Sequence, residues 1–198
     1  MRKEQYLKDP CAASSLPFWK TNSITTSKKI SLVENVLNDS EHEYYFKMIH
    51  HLDNIESVQL DNRFEFVEIA TIDYANHINS CYDDIGIDIE ELEEYKKRRT
   101  YNPSLWIAIK DKNNNRIVAS GIAEFDDEIK EGIIEWVQVT KEYRRCGLGR
   151  IIVNELLNRL KKMALFVTVS GDYNSPSKPL LLYQKCGFTN TKIWHITD

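Results

Sequence analysis

The chain of 198 residues is long enough for one domain, or for one domain with an extension. Its hydrophobic content of 42% and charged content of 28% are typical of a globular protein that buries a full core. The formal net charge of −4 argues against a dedicated nucleic-acid binder, and no apolar run approaches the roughly 20 residues of a membrane-spanning helix.

Residues 1–62 are predicted to form an N-terminal extension that packs on the main domain. Their first half has no regular hydrophobic period, and two prolines and the Ser/Thr-rich stretch 21–28 favour an irregular arm. Phe18 and Trp19 are expected to pack against the main body, because exposed aromatic rings are costly to leave in water. The segment 41–52 is predicted to be a helix, because its apolar residues recur at helical spacing. These are Tyr45, Met48, Ile49 and Leu52.

The main domain, residues 63–198, is predicted to follow the order β-α-α-β-β-β-α-β-α-β. Alternating or continuous apolar runs predict strands at 64–70, 105–110, 116–126, 132–139, 164–169 and 191–196. Helical periodicity and terminal charges predict helices at 72–82, 84–99, 149–163 and 179–186. This order is typical of an α/β fold, in which a mixed sheet carries helices on both faces.

The cysteines and histidines show no spacing typical of a metal site. The cysteines lie 40 to 70 residues apart in sequence, which matches neither a CxxC knuckle nor a small disulfide framework. The five histidines form no HExxH or similar pair. The basic N-terminus, MRKEQYLKDP, lacks the apolar stretch of a signal peptide. We therefore expect a reduced, cytoplasmic protein without a metal.

A basic turn with two glycines joins a predicted strand to a predicted helix in the segment VTKEYRRCGLGR, residues 139–150. A helix N-terminus directs several free N–H groups at one spot, and its dipole favours negative charge there. Gly147 and Gly149 let the backbone approach an anion without an intervening Cβ. Positive charge is added by Arg144, Arg145 and Arg150. The segment is therefore predicted to bind a phosphate or pyrophosphate.

Two common nucleotide-binding motifs do not fit this turn. A P-loop needs GxxxxGK[ST], and no Lys-Ser/Thr pair follows these glycines. A dinucleotide fingerprint needs a third small residue where Ile152 stands, and an acidic residue about 20 positions later, near Val169. Neither motif accounts for the segment.

The remaining pattern is R-x-x-G-x-G, residues 144–149, which resembles the acetyl-CoA pyrophosphate loop of the GNAT superfamily of N-acetyltransferases. The later segment LLYQKCGF, residues 181–188, is similar to the closing LYxxxGF segment of the same family. Both motifs, the distance between them and the order of predicted elements are similar to those of the family over roughly residues 64–196. The resemblance implies an N-acetyltransferase with the GNAT fold, whose mostly antiparallel central sheet contains a splayed parallel pair.

The resemblance also implies how acetyl-CoA, the cosubstrate, binds. Its pantetheine arm would enter between strands 132–139 and 164–169 and pair with the backbone of Val137, Gln138 and Val139. Its pyrophosphate would lie along the turn and the helix start, against Arg144, Arg145, Cys146, Gly147, Leu148, Gly149 and Arg150. Asn174 lies near the place of a family asparagine, although its nine-residue spacing to Tyr183 is longer than usual.

The acceptor implied by the resemblance is a primary amine of a small molecule or peptide. With a reference pKa of about 10.4, only about one lysine-like amine in 2,500 is neutral at pH 7, a handicap of roughly 4.6 kcal/mol that makes a general base worthwhile. Glu135 is the first candidate base, because it interrupts an apolar strand beside the expected thioester. The alternative is that Glu135 merely faces solvent at an exposed position of the strand and has no catalytic role. Weaker candidates are Glu131, Glu124 and Asp172. A backbone N–H near Val137 would polarise the thioester carbonyl.

Tyr183 matches the family position that commonly donates a hydrogen bond to the departing CoA sulfur. Full proton transfer from a phenol (pKa about 10) to a thiolate (conjugate thiol pKa about 8.5) is uphill by about 2 kcal/mol, so a hydrogen bond to the thiolate is expected.

Other interpretations of the sequence stay open. One is a non-catalytic acyl-CoA sensor or partner-binding module with the same fold. Another is a toxin-type enzyme acting on aminoacyl-tRNA, which the acidic charge disfavours. We expect neither a nucleic-acid nor a membrane partner. The family often dimerises through its C-terminal strands, which makes a homodimer a candidate assembly.

Overall fold

The computed structural model describes residues 1–21, 29–34, 36, 43–57, 59–83 and 86–197. Within these residues the α-helices are α1 (Lys3–Lys8), α2 (Pro10–Ala13), α3 (Thr71–Cys81), α4 (Ile89–Lys97), α5 (Leu148–Leu160) and α6 (Pro179–Lys185). The strands are β1 (Lys29–Val33), β2 (Glu43–His50), β3 (Phe64–Val67), β4 (Trp106–Asp111), β5 (Arg116–Asp126), β6 (Glu131–Val139), β7 (Phe166–Asp172) and β8 (Thr189–Thr197).

The strands form one mixed sheet in the order β1-β8-β2-β7-β6-β5-β4-β3. Neighbours are antiparallel except β6 and β7, which run parallel. Their ladder extends from Glu131–Phe166 to Ile134–Val169, and both strands continue beyond it without pairing to each other. The expected splayed parallel pair is therefore present. β8 pairs with β2 along one edge and, at residues 193–197, with β1 along the other.

Helices cover both faces of the sheet, as predicted. Ile107 of β4 packs with α5 residues such as Leu156, whereas the next residue, Ala108, packs with Ile78 of α3 on the opposite face. This alternation follows from the pleat of a strand, which sends successive side chains to opposite faces. Gly121 of β5 lets α5 approach closely, since a Cβ there would lie 2.5 Å from a side-chain carbon of Ile152.

The prediction of a helix at 41–52 is wrong. The segment forms β2, and residues 41–42 lie outside the described residues. Phe46 packs on the α5 face and Ile49 on the other face, so the strand is buried on both sides. Such a strand is apolar at nearly every position, and this pattern also fills a helical stripe. Pairing with β7 and β8 along its two edges decides in favour of the strand.

The elements predicted within 63–198 are confirmed in type and order, with shifted ends. The largest shift concerns the helix predicted at 84–99, which begins only at Ile89, while residues 84–85 lie outside the described part. Acidic residues occupy its first turn and basic residues its last turn, as the helix dipole favours. The last short helix ends as expected before Gly187, which adopts a positive φ of 90°.

A buried cluster of hydrogen bonds connects the N-terminal residues to Lys47 and Glu131 of the sheet. The phenol of Tyr6 donates to Glu131 Oε1 at 2.6 Å, and the N–H of Phe18 donates to Glu131 Oε2 at 3.0 Å. Lys47 Nζ donates to Tyr6 Oη at 2.9 Å and to the Leu16 carbonyl at 2.7 Å. Lys47 and Glu131 are almost fully buried, so removing either would leave a charge in the interior without its partner. A domain boundary at residue 62 stays a prediction.

The described residues have free cysteines, and they show neither a metal-binding cluster nor a membrane-spanning helix. Cys146 is an exposed free thiol, and the thiols of Cys11, Cys81 and Cys186 are free and buried. Among the described residues, the His, Cys, Asp and Glu side chains form no group of three that could hold a metal ion. None of the helices in the described ranges combines the length and the apolar character that crossing a bilayer requires.

Candidate active site

The free edge of β6 lines the gap where the parallel strands separate. The Val137 carbonyl accepts a hydrogen bond from Tyr82 Oη at 3.2 Å, and the Val139 carbonyl accepts one from Arg144 Nε at 3.1 Å. Because the N–H and C=O of one strand residue point to the same side, the N–H groups of both valines also point away from β5. Gln138 alternates with them, and its buried side chain donates to Ser120 of β5. Two of the three predicted backbone partners therefore border the gap.

The turn before α5 contains two residues in the left-handed region. Arg145 and Gly147 both adopt positive φ values, 64° and 83°. The N–H of Ile151 donates to the Gly147 carbonyl at 3.1 Å, so the N–H groups of residues 148–150 precede the first hydrogen bond within the helix. A Cβ on Gly147 would meet no atom within 4 Å, which leaves open space beside the turn. Positive potential from these N–H groups is directed into that space.

The three arginines of this turn have different roles. Arg144 is tethered through its guanidinium to the carbonyls of Val139 and Cys81, the latter at 2.7 Å. Arg150 forms an ion pair with Glu56. Arg145 is exposed and makes no ion pair with any residue in the described ranges. Of the positive charges predicted for this turn, that of Arg145 is the one without a partner in the described part of the chain.

The other predicted contacts near the turn differ in exposure. Leu148 is buried in the core, and Gly149 packs beside Leu182 and Val139, so both offer backbone rather than side chain. Cys146 is exposed within the turn. Asn174 is exposed beyond the end of β7, where its N–H donates to Asp172 Oδ1 at 2.8 Å. The structure does not bring the Asn174 side chain into a hydrogen bond with the turn.

Tyr183 lies on α6 with its ring packed in the core. Its ring centroid is 6.1 Å from that of Phe46 and 5.5 Å from that of Phe188. Burial raises the pKa of Tyr183 well above its ordinary value, with a smaller contribution from Tyr82. The phenol therefore keeps its proton at neutral pH and can act as a hydrogen-bond donor.

Two carboxylates, Glu135 of β6 and Glu124 of β5, lie on neighbouring strands near the end of the parallel ladder. Glu135 is the extra residue of a β-bulge in β6, because Ile122 pairs with Trp136 and the next residue of β5 pairs with Ile134. Its side chain is 13% exposed and forms an ion pair with Lys20 Nζ at 2.9 Å. The bulge therefore aims Glu135 out of the regular ladder at the point where β6 and β7 separate.

Glu124 of β5 is the second carboxylate, and it is almost fully buried. Its Oε1 accepts a hydrogen bond from Arg98 at 2.9 Å, whereas its Oε2 is buried without a hydrogen-bond partner in the described structure. Burial raises the pKa of Glu124, and the charge of Glu135 raises it further. The pair thus forms a largely buried acidic site in which one acceptor oxygen, Oε2 of Glu124, has no hydrogen-bond partner in the described structure.

The other candidate bases are placed less favourably. Glu131 lies at the paired end of the ladder and accepts hydrogen bonds from Tyr6, Thr168 and the Phe18 backbone, which commits both oxygens. Asp172 is exposed at the end of β7 and caps the following turn.

Sequence reasoning missed Lys20 and Tyr82. Lys20 lies in an aperiodic segment that carries no signal for an ion pair with Glu135. Tyr82 follows α3 at helical spacing, which indicates only a core residue.

The model of the acetyltransferase (GNAT) family matches residues 67–188 of this chain. The matched range begins in β3 and ends just after α6, so it includes the parallel pair, the turn before α5, and Tyr183. It excludes β1, β2 and β8.

Three solved structures share this fold at low sequence identity. A GCN5-related N-acetyltransferase from Sphaerobacter thermophilus superposes with a TM-score of 0.63 at 14% identity, over 79% of this chain and 51% of that one. Ard1 from Thermoplasma volcanium gives 0.55 at 13% identity, over 69% and 99% of the two chains. The ribosomal-protein-S18-alanine N-acetyltransferase from Escherichia coli gives 0.51 at 12% identity, over 67% and 92%. The chain spans about half the length of the first of these, and all three similarities concern the fold.

Proposed function

The chain belongs to the GNAT acetyltransferase family, and from that membership we propose that it transfers an acetyl group from acetyl-CoA to a primary amine of a small molecule or peptide. The amine would attack the thioester directly while both substrates are bound. The position of Glu135 supports this most: it is the bulged residue just beyond the parallel ladder, and it contacts an ammonium group.

Acetyl-CoA would bind across the gap and along the turn before α5. The backbone of Val137 and Val139 would pair with the pantetheine arm, since it borders the gap. Arg145 and the N–H groups of residues 148–150 would bind the diphosphate, because a left-handed turn at a helix start concentrates positive potential. Arg144 would hold the turn in shape through its tethers.

Glu135 would act as the general base for the acceptor amine. Two neighbouring carboxylates favour entry of a cationic amine, and the unused Oε2 of Glu124 offers it a second acceptor. Transfer of the proton to Glu135 would then produce the neutral nucleophile, at a position shielded from most solvent.

In the chemical step the amine nitrogen forms a bond to the thioester carbon, and the bond from carbon to sulfur breaks. The Val137 N–H would stabilise the developing oxyanion. Tyr183 would donate a hydrogen bond to the departing thiolate. Because burial raises the pKa of Tyr183, complete proton transfer is more uphill than the roughly 2 kcal/mol of an unperturbed phenol and thiol.

Calorimetric titration with acetyl-CoA, followed by a panel of amines monitored by thiol release, tests this proposal. Glu135→Gln should keep acetyl-CoA affinity while kcat falls by about 100-fold or more. Asp172→Asn is the matched control and should retain activity, since Asp172 is exposed and caps a turn. Acetyl-CoA binding without turnover on any amine would support the sensor alternative instead. Absence of affinity for every CoA species would contradict both.

A further inference from the structure

The acceptor position beside Glu135 is already occupied by an amine of the chain itself. Lys20 Nζ lies 2.9 Å from Glu135 Oε1, and the two side chains are 17% and 13% exposed. An amine hydrogen-bonded to a general base is the arrangement that precedes deprotonation and nucleophilic attack.

The segment that carries Lys20 bridges the two parallel strands where they begin to separate. The last pair of the ladder is Ile134 and Val169. The next residue of β6 is Glu135, which contacts Lys20, and the next residue of β7 is Ser170, whose hydroxyl donates to the Ser15 carbonyl at 3.2 Å. Residues 15–20 therefore cross the opening of the gap, on the face opposite α5.

Buried contacts hold this segment in place. Lys47 Nζ donates to the carbonyls of Ser14 at 3.0 Å and Leu16 at 2.7 Å, and the Phe18 N–H donates to Glu131. These contacts lie on both sides of Ser15 and end two residues before Lys20. Lys20 is thus presented to Glu135 by an anchored backbone, which gives its amine a high effective concentration at the site.

We propose that Lys20 is an internal acceptor, and that the enzyme acetylates the Nζ of its own Lys20 from bound acetyl-CoA. This inference rests on the proposed acetyltransferase function. The Lys20 ammonium first passes one proton to Glu135. The neutral nitrogen then forms the amide bond to the acetyl carbon as the bond from carbon to sulfur breaks, and the second proton lost by the nitrogen passes to the departing sulfur, so that CoA leaves as the thiol.

The charges around the site are compatible with this step. Lys20 and Glu135 form one ion pair, and Arg98 with Glu124 forms the second. Proton transfer followed by acylation removes the positive charge of Lys20 and the negative charge of Glu135 together, so no unpaired charge is left in a half-buried site. Acetylation also prevents Lys20 from pairing again, which frees Glu135 for an external amine once its proton is released to solvent.

Incubation of the full chain with acetyl-CoA, followed by intact-mass measurement and peptide mapping, tests the proposal. We expect one acetyl group on Lys20, formed at a rate independent of protein concentration. Lys8 and Lys112 are exposed internal comparators. Uncatalysed acetylation would favour these accessible amines, so faster labelling of the less exposed Lys20 indicates catalysis by the site. Lys20→Arg keeps the positive charge and should remove the modification, and Glu135→Gln should slow it by about 100-fold. Melting curves of both variants verify that they are folded.

Two results would overturn the proposal. One is preferential labelling of exposed lysines, and the other is a rate that rises with protein concentration. If acetyl-CoA binds and external amines turn over while Lys20 stays unmodified, the inference fails and the proposed function stands. If neither binding nor turnover is detected, both fail.

Discussion

Tyr82 donates a hydrogen bond from its phenol to the backbone carbonyl of Val137 at 3.2 Å, and its ring lies 6.2 Å from that of the adjacent Trp136. Burial raises the pKa of Tyr82 to about 12, so the phenol remains a donor at neutral pH. The carbonyl that it contacts borders the gap between β6 and β7. Tyr82 and acetyl-CoA would therefore compete for the same edge of the strand.

Tyr82→Phe should tighten acetyl-CoA binding. The variant removes one hydrogen bond to Val137, whose net worth is about 0.5–1.5 kcal/mol, so the dissociation constant should fall by at most about tenfold. Calorimetric titration measures the change. Tyr101→Phe is the matched control, because the contacts of Tyr101 in the described structure are with Arg98 and Trp106 rather than with β6 or the turn. Weaker binding by Tyr82→Phe would contradict the competition and make Tyr82 part of the binding site.

Tyr183→Phe should lower kcat by about 10- to 100-fold, the worth of one hydrogen bond to a charged group. KM for acetyl-CoA should change little, because the ring and its packing against Phe188 are preserved. The raised pKa of Tyr183 keeps it protonated above its ordinary titration range, so any loss of activity at alkaline pH should persist in the variant. A kcat profile against pH, with Tyr173→Phe as control, provides the measurement. An unchanged kcat would mean that Tyr183 only packs in the core and does not assist the departing thiolate.

Gly147→Ala should weaken acetyl-CoA binding and lower stability. The position has a φ of 83°, and a Cβ costs about 1–2 kcal/mol in this left-handed region although no atom lies within 4 Å of it. Gly149→Ala is the contrast, because its Cβ would make ordinary contact with Leu182 at 3.4 Å without a positive φ. Thermal melting should show a lower Tm for the first variant only. Equal melting temperatures would mean that the turn relaxes around the new side chain.

The burial of His77 should make the free energy of unfolding fall at acidic pH. It is buried between Ser120 and Thr140, with ring nitrogens 2.8 and 3.0 Å from their hydroxyls, and burial lowers its pKa from 6.5 to about 4. Between these pH values the unfolded chain binds a proton that the folded chain excludes. Stability from His77 is therefore complete above pH 6.5 and falls as the pH drops towards 4, by about 3 kcal/mol in total.

Urea unfolding of wild type and His77→Gln from pH 7 to pH 4 measures this effect. The variant should be less stable at pH 7, because Gln cannot satisfy both hydroxyls in the same geometry. Its stability should then decline less steeply with acid than that of wild type. Parallel pH profiles for the two proteins would contradict the assignment, since carboxylates common to both titrate in the same range.

The order of elements from β3 to β8 and the turn at residues 144–149 were accessible from sequence, because both are local. Hydrophobic period, end charges and glycine positions are properties of consecutive residues, and they determine the helices, the strands and the conformation of the turn with little help from the rest of the chain. The position of Glu135 on an apolar strand was visible for the same reason.

Only the tertiary structure decided the secondary structure of residues 41–52 and the contact between Lys20 and Glu135 in the candidate site. An apolar segment that fits a helix or a buried strand becomes a strand when β7 and β8 supply hydrogen bonds to both of its edges. Lys20 and Glu135 are 115 positions apart, and no periodicity relates residues at that distance. Their contact exists because buried charges at Lys47 and Glu131 fix the N-terminal backbone across the gap. Long-range contacts of this kind depend on the packing of the complete fold.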